Sequence, residues 1–484
     1  MASSRYRTPH VHVLALDQGT SATKALIVSS ERGVLAEAEV AIAPRALGPD
    51  AVEQDAEALW SSIVAAGRSA RDAAGVRLDA VALANQGETV VAWDRATGRP
   101  LAPALSWQDR RAQTICARLA GDADRLRALT GLPLDPYFAA PKIAWLREHV
   151  TRAGVVTTTD TWLLHRLCGA YVTDAATASR TMLLDLEGGD WSAEACAAFG
   201  IDVADQPRVV GCAEAVGTTA VFGDPIPVAG LAVDQQAALF AESCLEAGTA
   251  KCTYGTGAFL LAPVGTRPHR SGAGLVSCVA WRLGGETTYC LDGQVYTAGA
   301  AVQWLRSLGL LGADETPDQA LGAAGSTGVV FVPALAGLGA PQWRPTARGA
   351  FVGLSLATGR GDLLRAVVEG IAAQVTTLAR AVERDLGRTL ACLRADGGLV
   401  RSSVLMQAQA DLLQAPVEVY PSPHATALGV AAFARLALGD VASATAAVGG
   451  WSPARVFEPH IDAGEAAERL ARWQRAVEAV VALA

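Results

Sequence analysis

Two carboxylates and two glycine-threonine turns carry the chemistry of this chain. Asp17 closes the apolar run that opens at Leu14, and Gln18-Gly19-Thr20-Ser21 lead back into a second apolar run, Ala25, Leu26, Ile27 and Val28. A carboxylate at the end of a buried strand can hold Mg²⁺ through its waters. Gly19 lets backbone N–H groups approach phosphate oxygens, and the hydroxyls of Thr20 and Ser21 add donors. Alone, such a string is also an ordinary tight turn. A second copy changes that weighting: Gly248 to Thr253 reads as a strand, Tyr254-Gly255-Thr256-Gly257 as a glycine-rich turn and Ala258 to Pro263 as the returning strand. One such hairpin in each half is what a two-domain nucleotide clamp requires. The sequence holds neither a P-loop string nor a Gly-x-Gly-x-x-Gly between strand and helix.

The elements that must position these residues are legible around them. The first hairpin continues through Val34 to Val40, and Asp55 caps a helix whose Ala56, Leu59, Trp60, Ile63 and Val64 share one face. A buried strand over Val76 to Leu83 leads to Asn85-Gln86-Gly87-Glu88-Thr89, polar residues at the strand end where α/β folds bind ligands. Val228 to Val233 reads as a buried strand that delivers Asp234 to the same crevice. Thr297 is expected to cap a helix through Val302 and Leu305, a long helix runs from Asp362 to about Glu383, and Ser402 begins another. The alternation predicts an α/β fold in two domains, 1–244 and 245–484, repeated coarsely between the halves.

Composition excludes several classes. The 484 residues are 51% hydrophobic and 18% charged with a formal charge of −8, which leaves no basic stripe for nucleic acid. The nine cysteines stand singly, without zinc spacing, and read as reduced core residues. Arg5 and Arg7 precede only a short apolar run, and no stretch reaches the roughly 20 apolar residues of a membrane span. A cytoplasmic enzyme with no membrane or nucleic-acid partner is the expectation.

Seven ordered blocks then resemble one family, the FGGY carbohydrate kinases, and within it the glycerol-kinase branch: Leu16 to Thr20, Asn85 to Thr89, Ser106-Trp107-Gln108-Asp109-Arg110-Arg111, Asp135-Pro136-Tyr137-Phe138, Asp234 to Phe240, Tyr254 to Gly257 and Asp396-Gly397-Gly398. The resemblance implies an actin-like fold of two ribonuclease H-like domains, with the reaction in the cleft between them. It implies Asp234 as the base that takes the proton of the acceptor hydroxyl, and Asp17 as the carboxylate that organises Mg²⁺ with the phosphates of ATP. By the same resemblance Thr20, Ser21 and Lys24 face the transferring phosphate and Thr256 and Gly257 the β- and γ-phosphates. Gly299 and Gln303 then belong to the phosphate and ribose region, and Gly398 with Ser402 to the adenine side. Gly87, Glu88, Trp107, Tyr137, Gln235 and Phe259, with Asp234, form the acceptor pocket. Homodimers and homotetramers are both common in the family.

Three positions depart from the family pattern. Lys24 stands where glycerol kinases commonly carry Arg, which keeps the charge without the bidentate fork. Ser402 replaces a frequent asparagine, and Gly87 replaces the arginine of Asn-Gln-Arg-Glu-Thr. Two acceptor readings stay open here: glycerol, with water or Arg110 filling the gap, or a longer polyol or sugar in the extra volume, the latter slightly preferred. A third reading, a non-catalytic nucleotide-binding sensor, is opposed by the retention of both Asp17 and Asp234.

Overall fold

The computed structural model describes residues 10–321 and 328–484. Two mixed sheets organise it. The first contains β1 (His12–Gln18), β2 (Ala22–Ser29), β3 (Gly33–Ala41), β4 (Ala80–Asn85), β5 (Ala215–Thr219) and β6 (Ile226–Val233) in the order β5-β6-β4-β1-β2-β3. The second contains β7 (Lys251–Tyr254), β8 (Ala258–Gly265), β9 (Val276–Leu283), β10 (Glu286–Val295), β11 (Leu393–Asp396), β12 (Val417–Val419) and β13 (Arg455–Phe457) in the order β9-β10-β8-β7-β11-β12-β13.

The halves repeat one plan. In each, an antiparallel hairpin (β1-β2, β7-β8) is extended by a third antiparallel strand (β3, β10), and two strands run parallel to the first (β4 and β6, β11 and β12). The coarse repetition seen in the two glycine-threonine turns is therefore a repetition of topology. The central strands are apolar on both faces because helices cover both; β4, for example, is buried at every position.

Local signals place the helices. Asp55 caps α1 (Ala56–Ala74), accepting from the Glu57 and Ala58 amides at 2.9 and 3.3 Å, and Leu59, Ile63, Ala66 and Ala70 form its buried stripe. Ser402 caps α7 (Ser403–Leu413), and the long helix α6 runs over Arg360–Leu386. Two expectations are corrected. The strand read over 76–83 begins at Ala80; just before it the Asp79 amide donates to the His12 carbonyl at 2.8 Å and the Asp79 carboxylate accepts from the His12 amide at 2.9 Å. Thr297 is not a helix cap: its hydroxyl donates to the Pro333 carbonyl, and α5 (Gly299–Ser307) starts two residues later. The amphipathic C-terminal helix α9 (Ala463–Ala482) packs at home, with Trp473, Val477 and Val480 in the core of the second half.

The halves are also sewn together. Helix α8 (Ala425–Ala437) lies between β12 and β13 of the second sheet in the chain but packs on the first sheet, against β6 and α4 (Asp234–Ala241). The approach is backbone to backbone: a Cβ on Gly429 would lie 1.9 Å from the Ala237 carbonyl oxygen. Phe240 and Phe433 close the contact with ring centroids 4.2 Å apart. Helix α4, with Asp234 at its first turn, is thus clamped from the opposite half. Among the described residues no helix is long and apolar enough to cross a membrane.

Candidate active site

The C-terminal ends of β1, β4, β6 and β7 converge on a cavity of about 420 Å³. Both hairpin turns, the Gln86-Gly87-Glu88 segment and the Asp234-Gln235 pair reach it, as expected for a crevice outside the carboxyl ends of parallel strands. Eleven residues singled out in the sequence line this one space: Thr20, Ser21, Gly87, Glu88, Trp107, Tyr137, Asp234, Gln235, Thr256, Gly257 and Phe259.

The two carboxylates are poised differently from surface aspartates. Burial raises the Asp234 carboxyl to about 7, with the Asp17 charge adding to the rise, while Lys251 and the Gln235 amide, at 2.7 Å, oppose it. Burial likewise raises Asp17 to about 6, with Lys24 pulling it down and Asp396 and Glu39 pushing it up. Lys24 is the register partner of Asp17 across the β1-β2 hairpin. Both aspartates are half-buried, and each is surrounded deeply enough that its charged form is disfavoured. The Asp17 carboxylate accepts no hydrogen bond among the described residues, which leaves its oxygens free for a hard cation and that cation's waters. No cluster of three or more metal-ligating side chains occurs among the described residues.

At the acceptor end an aromatic wall is built from Trp107, Tyr137 and Phe259, edge-to-face with Trp107 at 5.9 and 6.1 Å. Trp107 is oriented by donating its indole N–H to Thr20 Oγ1 at 2.8 Å. Tyr137 is held from behind by Lys142, whose buried ammonium donates to the carbonyls of Pro136 and Phe138 at 2.9 and 2.8 Å and to that of Tyr137 itself. Burial lowers Lys142 to about 8, with the carboxylates of Glu88, Asp109 and Asp135 countering. Glu88 is 3% exposed, and its carboxyl is raised by burial against the pull of Arg180.

Gly87 lines the cavity, yet its own Cβ position is crowded. A Cβ there would meet Val233 Cγ2 at 3.0 Å and Arg180 Nε at 3.6 Å. Arg110, the sequence candidate for filling the gap, lies instead against Asp135 at 3.6 Å and outside the cavity lining.

Six predicted residues stand outside that lining. Asp17 and Lys24 lie behind the first turn, on the strands that carry it. Gly299 and Gln303 lie on α5, whose start is bonded to the second turn: the Gly299 and Ala300 amides donate to the Gly255 and Thr256 carbonyls, each at 3.0 Å. A Cβ on Gly299 would sit 2.6 Å from the Gly255 oxygen, so only glycine fits there. Gly398 is exposed beyond β11, while the Ser402 hydroxyl is occupied as the cap of α7 and by Asp318.

Sequence reasoning missed Arg180, Lys251, Thr253 and Asp292. A signal for one of them existed in composition: only three lysines, 24, 142 and 251, stand among 40 Lys plus Arg, and all three lie in or directly behind this site. Where nearly every surface cation is arginine, a retained lysine marks a place that needs a compact ammonium. Arg180 is a single charge among small and apolar residues, Ala175 to Ser179 and Met182-Leu183-Leu184, and nothing near it in the chain names its partners.

Comparison with known proteins agrees with this geometry. The models of the FGGY family of carbohydrate kinases match residues 12–241 (N-terminal domain) and 250–438 (C-terminal domain). The chain is 44% identical over 490 residues to the glycerol kinase of Myxococcus xanthus, covering 96% of this chain and 99% of that one. It is 43% identical over 491 residues to the glycerol kinase of Thermus brockianus, covering 96% and 98%. Its fold is similar to Plasmodium falciparum glycerol kinase with ADP, with a TM-score of 0.89 at 29% identity over 97% and 98% of the two chains. It is also similar to xylulose kinase from Rhodospirillum rubrum, with a TM-score of 0.83 at 26% identity over 98% of each. The expected actin-like, two-domain α/β architecture is borne out by these likenesses. With both domain models matched in order on either side of the cleft, the chain belongs to the FGGY family of carbohydrate kinases, phosphotransferases with an alcohol group as acceptor.

Proposed function

We propose that the enzyme transfers the γ-phosphoryl group of Mg²⁺-ATP to a terminal hydroxyl of a small polyol, with glycerol as its preferred acceptor. The observation that carries this reading is Asp234. A carboxylate raised to about 7 lies in the same cavity as Glu88, the aromatic wall and both glycine-threonine turns. A base with that affinity for protons is matched to taking one from an alcohol at neutral pH. Glycerol kinases at 40–44% identity over nearly the whole chain support glycerol as the acceptor.

The chain's own residues would then divide the work. Glu88 accepts from the acceptor's non-reacting hydroxyls, Trp107, Tyr137 and Phe259 pack against its carbons, and Asp234 receives the proton of the attacking hydroxyl. Thr20, Ser21, Thr256 and Gly257 bracket the phosphates, and Lys24 lends positive charge behind Asp17. Gly299, Gln303, Gly398 and Ser402 lie on the nucleotide side of the second turn. Asp17 would hold Mg²⁺, which when bound neutralises charge on the transferring phosphate. Nine free thiols, seven of them buried, suit the reducing cytoplasm where ATP is plentiful. The test is ADP release by purified enzyme with Mg²⁺-ATP against glycerol, four- and five-carbon polyols and ketoses.

A further inference from the structure

Arg180 is a buried cation that lines the acceptor end of the cavity, and its donors reach three separate segments of the chain. Its Nε pairs with Glu88 and one terminal nitrogen with Asp292. The other terminal nitrogen donates to the Tyr137 hydroxyl at 3.3 Å. Glu88 and Tyr137 belong to the first half and line the cavity, whereas Asp292 lies on β10 of the second sheet.

Two further observations say what this arrangement is for. Glu88 has φ of +57°, a left-handed conformation that a glutamate rarely adopts, and Arg180 is the partner that holds its carboxylate. Asp292 is fully buried, and its second oxygen has no hydrogen-bond partner among the described residues, so Arg180 is what compensates it. A planar guanidinium can serve these partners at fixed angles, which an ammonium cannot.

We propose that Arg180 is the positioning residue of the acceptor pocket. It fixes Glu88 and Tyr137 in the arrangement that receives the acceptor's non-reacting hydroxyls, and by holding Asp292 it ties that arrangement to the second half. The inference rests on the acceptor occupying this cavity.

The experiment varies acceptor and ATP separately in R180A, R180K and D292N, alongside the unaltered enzyme and its acceptor panel. R180A raises the acceptor KM about tenfold or more while the ATP KM stays within about twofold, as expected for loss of charge-assisted hydrogen bonds at one end of the cleft. Millimolar guanidinium ion restores R180A and leaves R180K unimproved. R180K, which keeps the charge and guards against a failure of R180A to fold, shifts the acceptor KM in the same direction. D292N does so by less. An active wild type with an unchanged acceptor KM in R180A and R180K overturns the inference alone, as does an equal rise in both KM values that guanidinium does not reverse. A D292N acceptor KM equal to wild type overturns the tie to the second half. Wild-type silence on every acceptor overturns the functional reading and the inference with it.

Discussion

Lys251, the first residue of β7, donates its ammonium to Gln235 Oε1 at 2.6 Å, reaching from the second half to the helix that begins at Asp234. The same ammonium donates to Thr253 Oγ1 at 2.6 Å and is completely buried. One lysine therefore orients a residue beside the proposed base and, by its charge, restrains that base's affinity for protons.

Lys251→Met removes both effects. With the cation gone, Asp234 is held above its present value of about 7, so the acid limb of kcat/KM moves to higher pH. Loss of hydrogen bonds from a charged donor lowers turnover at pH 7 roughly ten- to a hundredfold. A pH profile from 5.5 to 9 in both proteins checks this; an acid limb that does not move would separate Lys251 from Asp234.

Asp234→Asn removes the base. Turnover falls by about 10²–10⁴ while ATP binding, followed by calorimetry, is retained. In the unaltered enzyme the acid limb of kcat/KM lies near pH 7, and activity falls below it as Asp234 becomes protonated.

The same substitution has a stability signature. The Asp234 carboxyl sits at about 7 in the folded protein against an ordinary 3.8, so its contribution to stability is fully present below about pH 4 and is lost as pH rises through 7. Asn does not titrate. D234N therefore melts above wild type at pH 8, and the gap narrows toward pH 5. Melting curves at the two pH values read this directly, and a gap that widens at low pH would reverse the sign.

Gly87→Ala tests whether the pocket above position 87 is full. The added methyl meets Val233 at 3.0 Å and lies near Arg180, so the account expects overpacking to cost about 1–3 kcal/mol and to raise the acceptor KM several-fold. Free accommodation, with melting temperature and KM both unchanged, would mean that the space is open and would revive the case for a longer acceptor.

What the sequence disclosed and what it hid divide along physical lines. Strand-end residues in local motifs, such as Asp17, Glu88 and Asp234, were legible because the turn or strand that delivers each lies beside it in the chain. Arg180 and Asp292 were not, because their meaning arises only when residues 112 positions apart meet as a buried pair. Thr297 was misread because a hydroxyl before a helix has two competing uses, and the Pro333 carbonyl, distant in sequence, took it. Gly87 was read as extra volume because a missing side chain shows in sequence, while the Val233 and Arg180 atoms that would crowd a Cβ there do not.

The acceptor dependence of ADP release by the unaltered enzyme with Mg²⁺-ATP reads the proposed transfer to glycerol directly. Saturable turnover with glycerol is expected at a kcat/KM on the order of 10⁴ M⁻¹s⁻¹ or above, exceeding that for every longer polyol or ketose. A higher kcat/KM for a five-carbon acceptor, or no turnover of glycerol, would contradict it.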